Sequence, residues 1–152
     1  MAQTALRDST VKLLSHLPLF QEVPEQDLLT LAQYSRLEFV ERDAVIFYQG
    51  DVCDRIWLVR KGRVKIVHHD EDGREVILEF SLQCFGRRWM GAVLFFPTHP
   101  ATAKALEAAS LISFPSEIYA QFLLNHPAVS LKLLRMLGVR HLSMLNMQSL
   151  AG

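Results

Sequence analysis

The sequence predicts a mainly β fold with flanking helices: an antiparallel roll closed by a long C-terminal helix. Three observations predict it. The middle of the chain holds five short runs rich in β-branched and aromatic residues, "RLEFVE", "AVIFYQG", "RIWLVRKG", "RVKIVHH" and "REVILEF". Turn-forming residues separate them: Gly50-Asp51, Lys61-Gly62 and the "DEDG" that ends in Gly73. Apolar residues at helical spacing bracket this region on both sides.

The first element is helical. Leu6, Leu13, Leu14 and Leu17 recur at helical intervals and stop at Pro18. "VPEQDLLTLAQ" predicts a second helix. Pro24 suits its first turn, Glu25 and Asp27 suit its positive end, and Leu28, Leu29 and Leu31 are expected to face a core. Along "RVKIVHH", Val64, Ile66 and His68 share one strand face, and Lys65, Val67 and His69 the other. His68 and His69 therefore cannot reach one metal, and both are read as surface residues.

After Cys84 a short helical piece is expected, followed by two strands in "HPATAKALEAASLISF". "PSEIYAQFLLN" predicts a helix capped by Ser116 and broken by Pro127. A last helix then runs from about Ala128. Leu134, Leu137, His141 and Met144 line one side of it, and Leu133, Leu137, Met144 and Met147 an overlapping side. Two adjoining apolar faces predict that one packs on the roll and the other on a partner helix, giving a homodimer. Gly138 interrupts this helix and suggests a bend or a close approach. The chain is expected to be one domain over 1–152, with N-terminal helices over 1–35, the roll over 36–115 and C-terminal helices over 116–150.

Composition narrows the function. The chain has 152 residues, half of them hydrophobic, enough to bury a core. Basic and acidic residues balance at 16 each, which argues against a domain that grips DNA alone. Two cysteines, Cys53 and Cys84, lack CxxC spacing and are too few for an iron–sulfur cluster. The opening "MAQTALRDSTVKLL" has no signal-like apolar run, and no segment suits a membrane span. A cytoplasmic protein without membrane contact is the expectation. No GxSxG elbow, P-loop or HExxH occurs, so no enzyme is expected.

The order of parts resembles the sensor domain of the cyclic AMP receptor protein/FNR family of transcription regulators. The resemblance rests on "LPLFQEVPEQDLLTLA", "VIFYQGD", "IWLVRKGRVKIVHHDEDGREVILEF", "FG" and "PATAKAL" ahead of the long helix. It implies an antiparallel β-roll of the cyclic-nucleotide-binding type (a double-stranded β-helix), a dimerisation helix and a small-molecule effector. The family normally continues into a winged helix-turn-helix, and none is expected within residues 1–152. The resemblance therefore implies a sensor half that binds no nucleic acid by itself. "REVILEF…ATAKAL" looks closest to the DNR-type group, whose members bind haem and respond to nitric oxide.

The same resemblance locates a pocket at Phe85, Gly86, Arg87, Arg88, His99, Thr102 and Met144. In nucleotide-binding members a Glu following "FG" takes the ribose hydroxyl, and an Arg about ten residues on takes the cyclic phosphate. Here Phe85 and Gly86 match, Arg87 stands at the Glu position, and His99 stands about where the Arg belongs, followed by Pro100. An arginine accepts no hydrogen bond, and a neutral histidine lacks the bidentate fork. The pocket is thus expected to be degenerate toward cyclic nucleotide.

Arg87 and Arg88 leave an unrelated anion open, and equally suit solvent. Met144, Leu145 and Met147 offer apolar, polarisable surface where the base would meet the long helix. Such a pocket suits haem, with His16, His99 and His141 as candidate ligands. The ordinary reading of each is a surface or hydrogen-bonded histidine. Cys84 is read as a buried structural thiol, with a ligand or redox role as the alternative. Trp57, Trp89, Met90 and Met136 are read as core. The further alternatives are ordinary cyclic AMP or cyclic GMP binding through Arg87 and Arg88, and a ligand-free dimerisation module filled by Trp89 and Phe95.

Overall fold

The computed structural model describes residues 2–81 and 97–135, with side chains over 5–76 and 97–135. The elements run α1 (Ala2–Ser15), a 3-10 turn (Pro18–Phe20), α2 (Glu25–Ala32), seven strands, and α3 (Ser116–Asn125). The strands are β1 (Arg36–Val40), β2 (Val45–Phe47), β3 (Arg55–Lys61), β4 (Val64–His69), β5 (Glu75–Ser81), β6 (Thr102–Ala105) and β7 (Ala109–Pro115). A last helix follows, described over residues 127–135.

All strand pairs are antiparallel and form two sheets, ordered β1-β7-β3 and β2-β6-β4-β5. The register explains how the first sheet buries both faces. Leu37, Ile112 and Leu58 stand side by side across its three strands. They join Ile56 and Phe114 against the helices, meeting Leu14, Phe20, Leu28, Leu31, Tyr119 and Phe122. The alternate positions, Trp57, Val59 and Leu111, face the second sheet and pack on Phe47, Val64 and Ala103. With both faces covered, β3 and β7 are buried along nearly their whole length, Ser110 and Ser113 included.

The turns hold this arrangement in register. Between β3 and β4, Gly62 has φ of 98° and is buried. A Cβ there would lie 2.7 Å from the Ala109 Cβ and 2.8 Å from the Ala108 carbonyl oxygen, so the β3–β4 turn presses directly on the start of β7. The β4–β5 turn is set by Asp70, whose Oδ1 accepts from the backbone N–H of Asp72 (3.0 Å) and Arg74 (2.8 Å). At the end of β2 the Gln49 side chain acts as a short strand. Its Nε2 donates to the His69 carbonyl (3.1 Å), and its Oε1 accepts from the His69 N–H (2.8 Å).

Two helix expectations are corrected. Leu29 is 36% exposed, whereas Leu28 and Leu31 are each 1% exposed. A single α2 turn presents only one stripe to the core, and the Leu29 direction lies off it. Ser116 is not a cap: Pro115 precedes the first turn of α3 without a side-chain cap bond. The Ser116 Oγ instead donates to the Cys53 carbonyl (2.9 Å), and its N–H donates to the Asp54 carbonyl (2.9 Å). The residue stitches the start of α3 to the loop before β3.

Pro127 does end α3, and the chain resumes helix there. His126 is the joint, its carbonyl accepting from Val129 (3.0 Å) and Ser130 (3.2 Å). Val129 and Leu133 are buried in the helical core, while Leu131 and Leu134 on the same helix are 49% and 59% exposed. Among the described residues no helix is long and apolar enough to cross a membrane.

Candidate functional site

The wall of the roll around His99 is the one part of the expected pocket that the structure describes. Segment 97–100 runs beside 50–53 as an extended pair: His99 N–H donates to the Asp51 carbonyl (2.8 Å), Gly50 N–H to the His99 carbonyl (2.8 Å), and Cys53 N–H to the Pro97 carbonyl (3.1 Å). This pairing fixes the His99 backbone on both sides. Its ring is thereby laid on Phe47, with centroids 3.7 Å apart and planes 14° from parallel. Phe47 belongs to the apolar cluster between the sheets.

The residue is 3% exposed, and its buried Nδ1 has no hydrogen-bond partner among the described residues. Burial pushes its pKa below the ordinary imidazole value, while the charges of Asp51 and Asp54 pull it upward. The net direction favours a neutral ring. Stacking on a phenyl face is compatible with that neutral state.

Thr102 begins β6 and is 4% exposed. Its Oγ1 accepts the backbone N–H of Gln49 at 2.8 Å, so the hydroxyl already ties β6 to the end of β2. His16 is exposed at the end of α1, with Nδ1 held 2.6 Å from the Lys12 carbonyl oxygen. It follows a helix of the helical core, whereas His99 stacks on the cluster between the sheets, so the structure does not bring these two candidates to one site. Phe85, Gly86, Arg87, Arg88, His141 and Met144 lie outside the described residues. So do Cys84, Trp89, Met90, Phe95, Met136, Leu137, Gly138, Leu145 and Met147.

The other chemistry-bearing groups read as structural. His68 is half-buried with Nδ1 3.3 Å from the Pro100 carbonyl, and His69 is an exposed neighbour of Glu75 at 3.8 Å. Lys65 donates to Glu75 at 2.6 Å. That bond, with the charges of Lys65, Lys104 and His69, holds the Glu75 carboxyl below its usual range against the opposing effect of burial. Half-burial, reinforced by the Asp54 charge, pushes the Cys53 thiol up, away from a reactive thiolate. Arg55 Nε donates to Ser113 Oγ (2.8 Å) and its Nη2 to the Ser113 carbonyl (3.2 Å), bracing β3 against β7. Trp57 is core, as expected. Among the described residues no three His, Cys, Asp or Glu side chains gather for a metal ion.

Sequence reasoning missed one constellation entirely. His126 Nε2 lies 3.2 Å from Asp27 Oδ2, across 99 residues of sequence, and its Nδ1 lies 2.8 Å from the Phe122 carbonyl oxygen. The ring stacks on Phe122 with centroids 4.2 Å apart. Nothing local in "NHPAV" signals a contact with α2. The only available hint was Pro127, which marks a joint.

Comparisons with known proteins agree with this geometry. A family model described as a cyclic nucleotide-binding domain matches residues 37–126. The crystal structure of the sensor domain of the transcriptional regulator DNR from Pseudomonas aeruginosa superposes with a TM-score of 0.79 and 26% identity, covering 92% of this chain and 93% of that one. The transcriptional activator protein Anr of Pseudomonas protegens is 29% identical over 101 residues, 65% of this chain and 40% of that protein. A lysophospholipase of Aspergillus terreus is 31% identical over 108 residues, 68% of this chain but 7% of the fungal protein. The chain thus spans only a small part of that relative and less than half of Anr. The two-sheet roll, the helices packed on its outer face and these matches lead to one conclusion: the chain belongs to the cyclic nucleotide-binding domain family, with the sensor domains of CRP/FNR regulators of the DNR type among its kin.

Proposed function

We propose that this chain is the effector-sensing, dimerising part of a CRP/FNR-type transcription regulator, and that its pocket does not hold cyclic nucleotide. Its effector is a flat, apolar group, for which haem read out by nitric oxide is the proposed case. The role is one of binding, without catalysis, and DNA contact is left to another part of such a regulator.

One observation carries the reading. At the position where the resemblance puts a phosphate-binding arginine, His99 is buried, stacked on Phe47 and biased toward neutrality. A neutral imidazole offers a cyclic phosphate a single hydrogen bond in place of a charged fork. Losing a charge-assisted contact in a desolvated site costs about 2–5 kcal/mol.

The same residue fits haem. Iron takes the lone pair of a neutral imidazole nitrogen, and His99 has a buried nitrogen without a partner among the described residues, its ring lying on apolar Phe47. His99 would hold the group from the roll wall, and Phe47 would keep its ring oriented. Haem, when bound, supplies an iron centre with affinity for nitric oxide. His16 suits this poorly, because it is exposed and one ring nitrogen is engaged by its own helix.

The test is a haemin titration followed by absorption. A shifted Soret band that responds to nitric oxide or carbon monoxide, and that is altered in His99→Ala, is expected. No shift in the wild-type chain overturns the haem assignment. Calorimetry with cyclic AMP and cyclic GMP should show no micromolar binding; micromolar binding that vanishes in Arg88→Ala overturns the degenerate pocket.

A further inference from the structure

Away from the roll, α2 and α3 enclose a cleft of about 440 Å³, within the size range of small-molecule sites. Its floor is apolar: Leu31 is 1% and Phe122 6% exposed, with Ile118 beside them. Tyr34, 46% exposed, adds an aromatic wall, and Gln121 and Asn125 add amides. Among the described residues its lining holds one acid, Asp27, and neither lysine nor arginine.

Asp27 is met by the edge of the His126 ring. Both ring nitrogens of His126 face acceptors, the Phe122 carbonyl and the Asp27 carboxylate. The cleft therefore already sets a ring nitrogen of the chain's own against this carboxylate.

We propose that this cleft is a second ligand site, separate from the roll, for a small organic cation with an apolar or aromatic body and an ammonium or amidinium head. The head takes the place of His126 at Asp27, and the body lies on Phe122 and Leu31 beside Tyr34, where an aromatic face favours a cation. Occupancy reaches the last helix, because the His126 carbonyl accepts the first hydrogen bonds of that helix. A ligand that displaces the ring from Asp27 removes the polar tie between α2 and this joint.

Benzamidine is the probe, and benzamide its uncharged counterpart. On the isotope-labelled chain, benzamidine should give saturable amide shifts at Tyr34, Gln121 and His126. Benzamide should bind about tenfold more weakly or worse, as expected when a charge-assisted contact is lost. Asp27→Asn should abolish the difference between the two compounds. No saturable shift, equal affinity for both compounds, or a preference that survives in Asp27→Asn overturns the proposal. If Asp27→Asn does not fold, the comparison of the two probes on the unchanged chain decides alone.

Discussion

At Gly62 the backbone is left-handed and the start of β7 occupies the space where a side chain would begin. Gly73 also has positive φ, of 80°, but nothing lies within 4 Å of its missing Cβ. The two glycines separate strain from clash. Gly73→Ala should cost about 1 kcal/mol, from backbone strain alone. Gly62→Ala should cost about 2–5 kcal/mol, because strain and overpacking act together. Urea denaturation of the two variants measures the difference.

His99 gives a prediction in pH. Its folded pKa lies below the ordinary value because the ring is buried. In the unfolded chain the ring takes up its proton near pH 6.5, at about the model-peptide value. Acidification below that point favours the unfolded state, so the stability present above it is lost as pH falls toward the folded value. His99→Phe keeps a stacked ring and removes the titration. The drop in urea midpoint between about pH 7 and pH 5 should therefore be smaller in the variant. The sequence exposed His99 as a misfit in a phosphate site. It did not expose the stack, because Phe47 is brought to it only by the pairing of 50–53 with 97–100.

Among the elements, the strands were the most legible. Alternating and β-branched runs bounded by Gly62, Gly73 and the Gly50-Asp51 pair correspond to β1 through β5, since turn chemistry and strand period both act locally. Helix details that depend on a remote partner were not legible. Ser116 has the composition of a cap, yet its hydroxyl is engaged by Cys53, 63 residues away. Leu29 has the composition of a core residue, yet α2 turns it outward.

The last helix supports the two-faced pattern over its described turns, with Leu133 inward and Leu134 outward. The proposed dimer makes the two behave differently. Leu133→Ala should destabilise the fold by about 2–5 kcal/mol. Leu134→Lys should leave the fold intact and shift the chain to a monomer in sedimentation velocity. A dimer that persists in Leu134→Lys argues that the partner helix lies elsewhere.

For the molecule as a whole, the first sheet is shared between two cores. One lies against the helices and the other against the second sheet. An event at His99, on the inner core, can reach the helices through β3 and β7, whose neighbouring residues point alternately into each. The general plan of this arrangement was readable, because glycine spacing and strand rhythm extend over most of the chain. The site was readable only in outline. A resemblance assigns positions, whereas the burial, protonation bias and stacking of His99 come from contacts made after folding.

The joint at His126 has a consequence for how this chain tolerates change in length. One residue separates α3 from the helix that follows, and its carbonyl sets the phase of that helix. An insertion of one amino acid there would turn every later side chain by about 100° around the axis. Lys132 would then fall where Leu133 is buried, and Leu133 where Leu134 is exposed, so an extra residue at this point would scramble the packing of the helix.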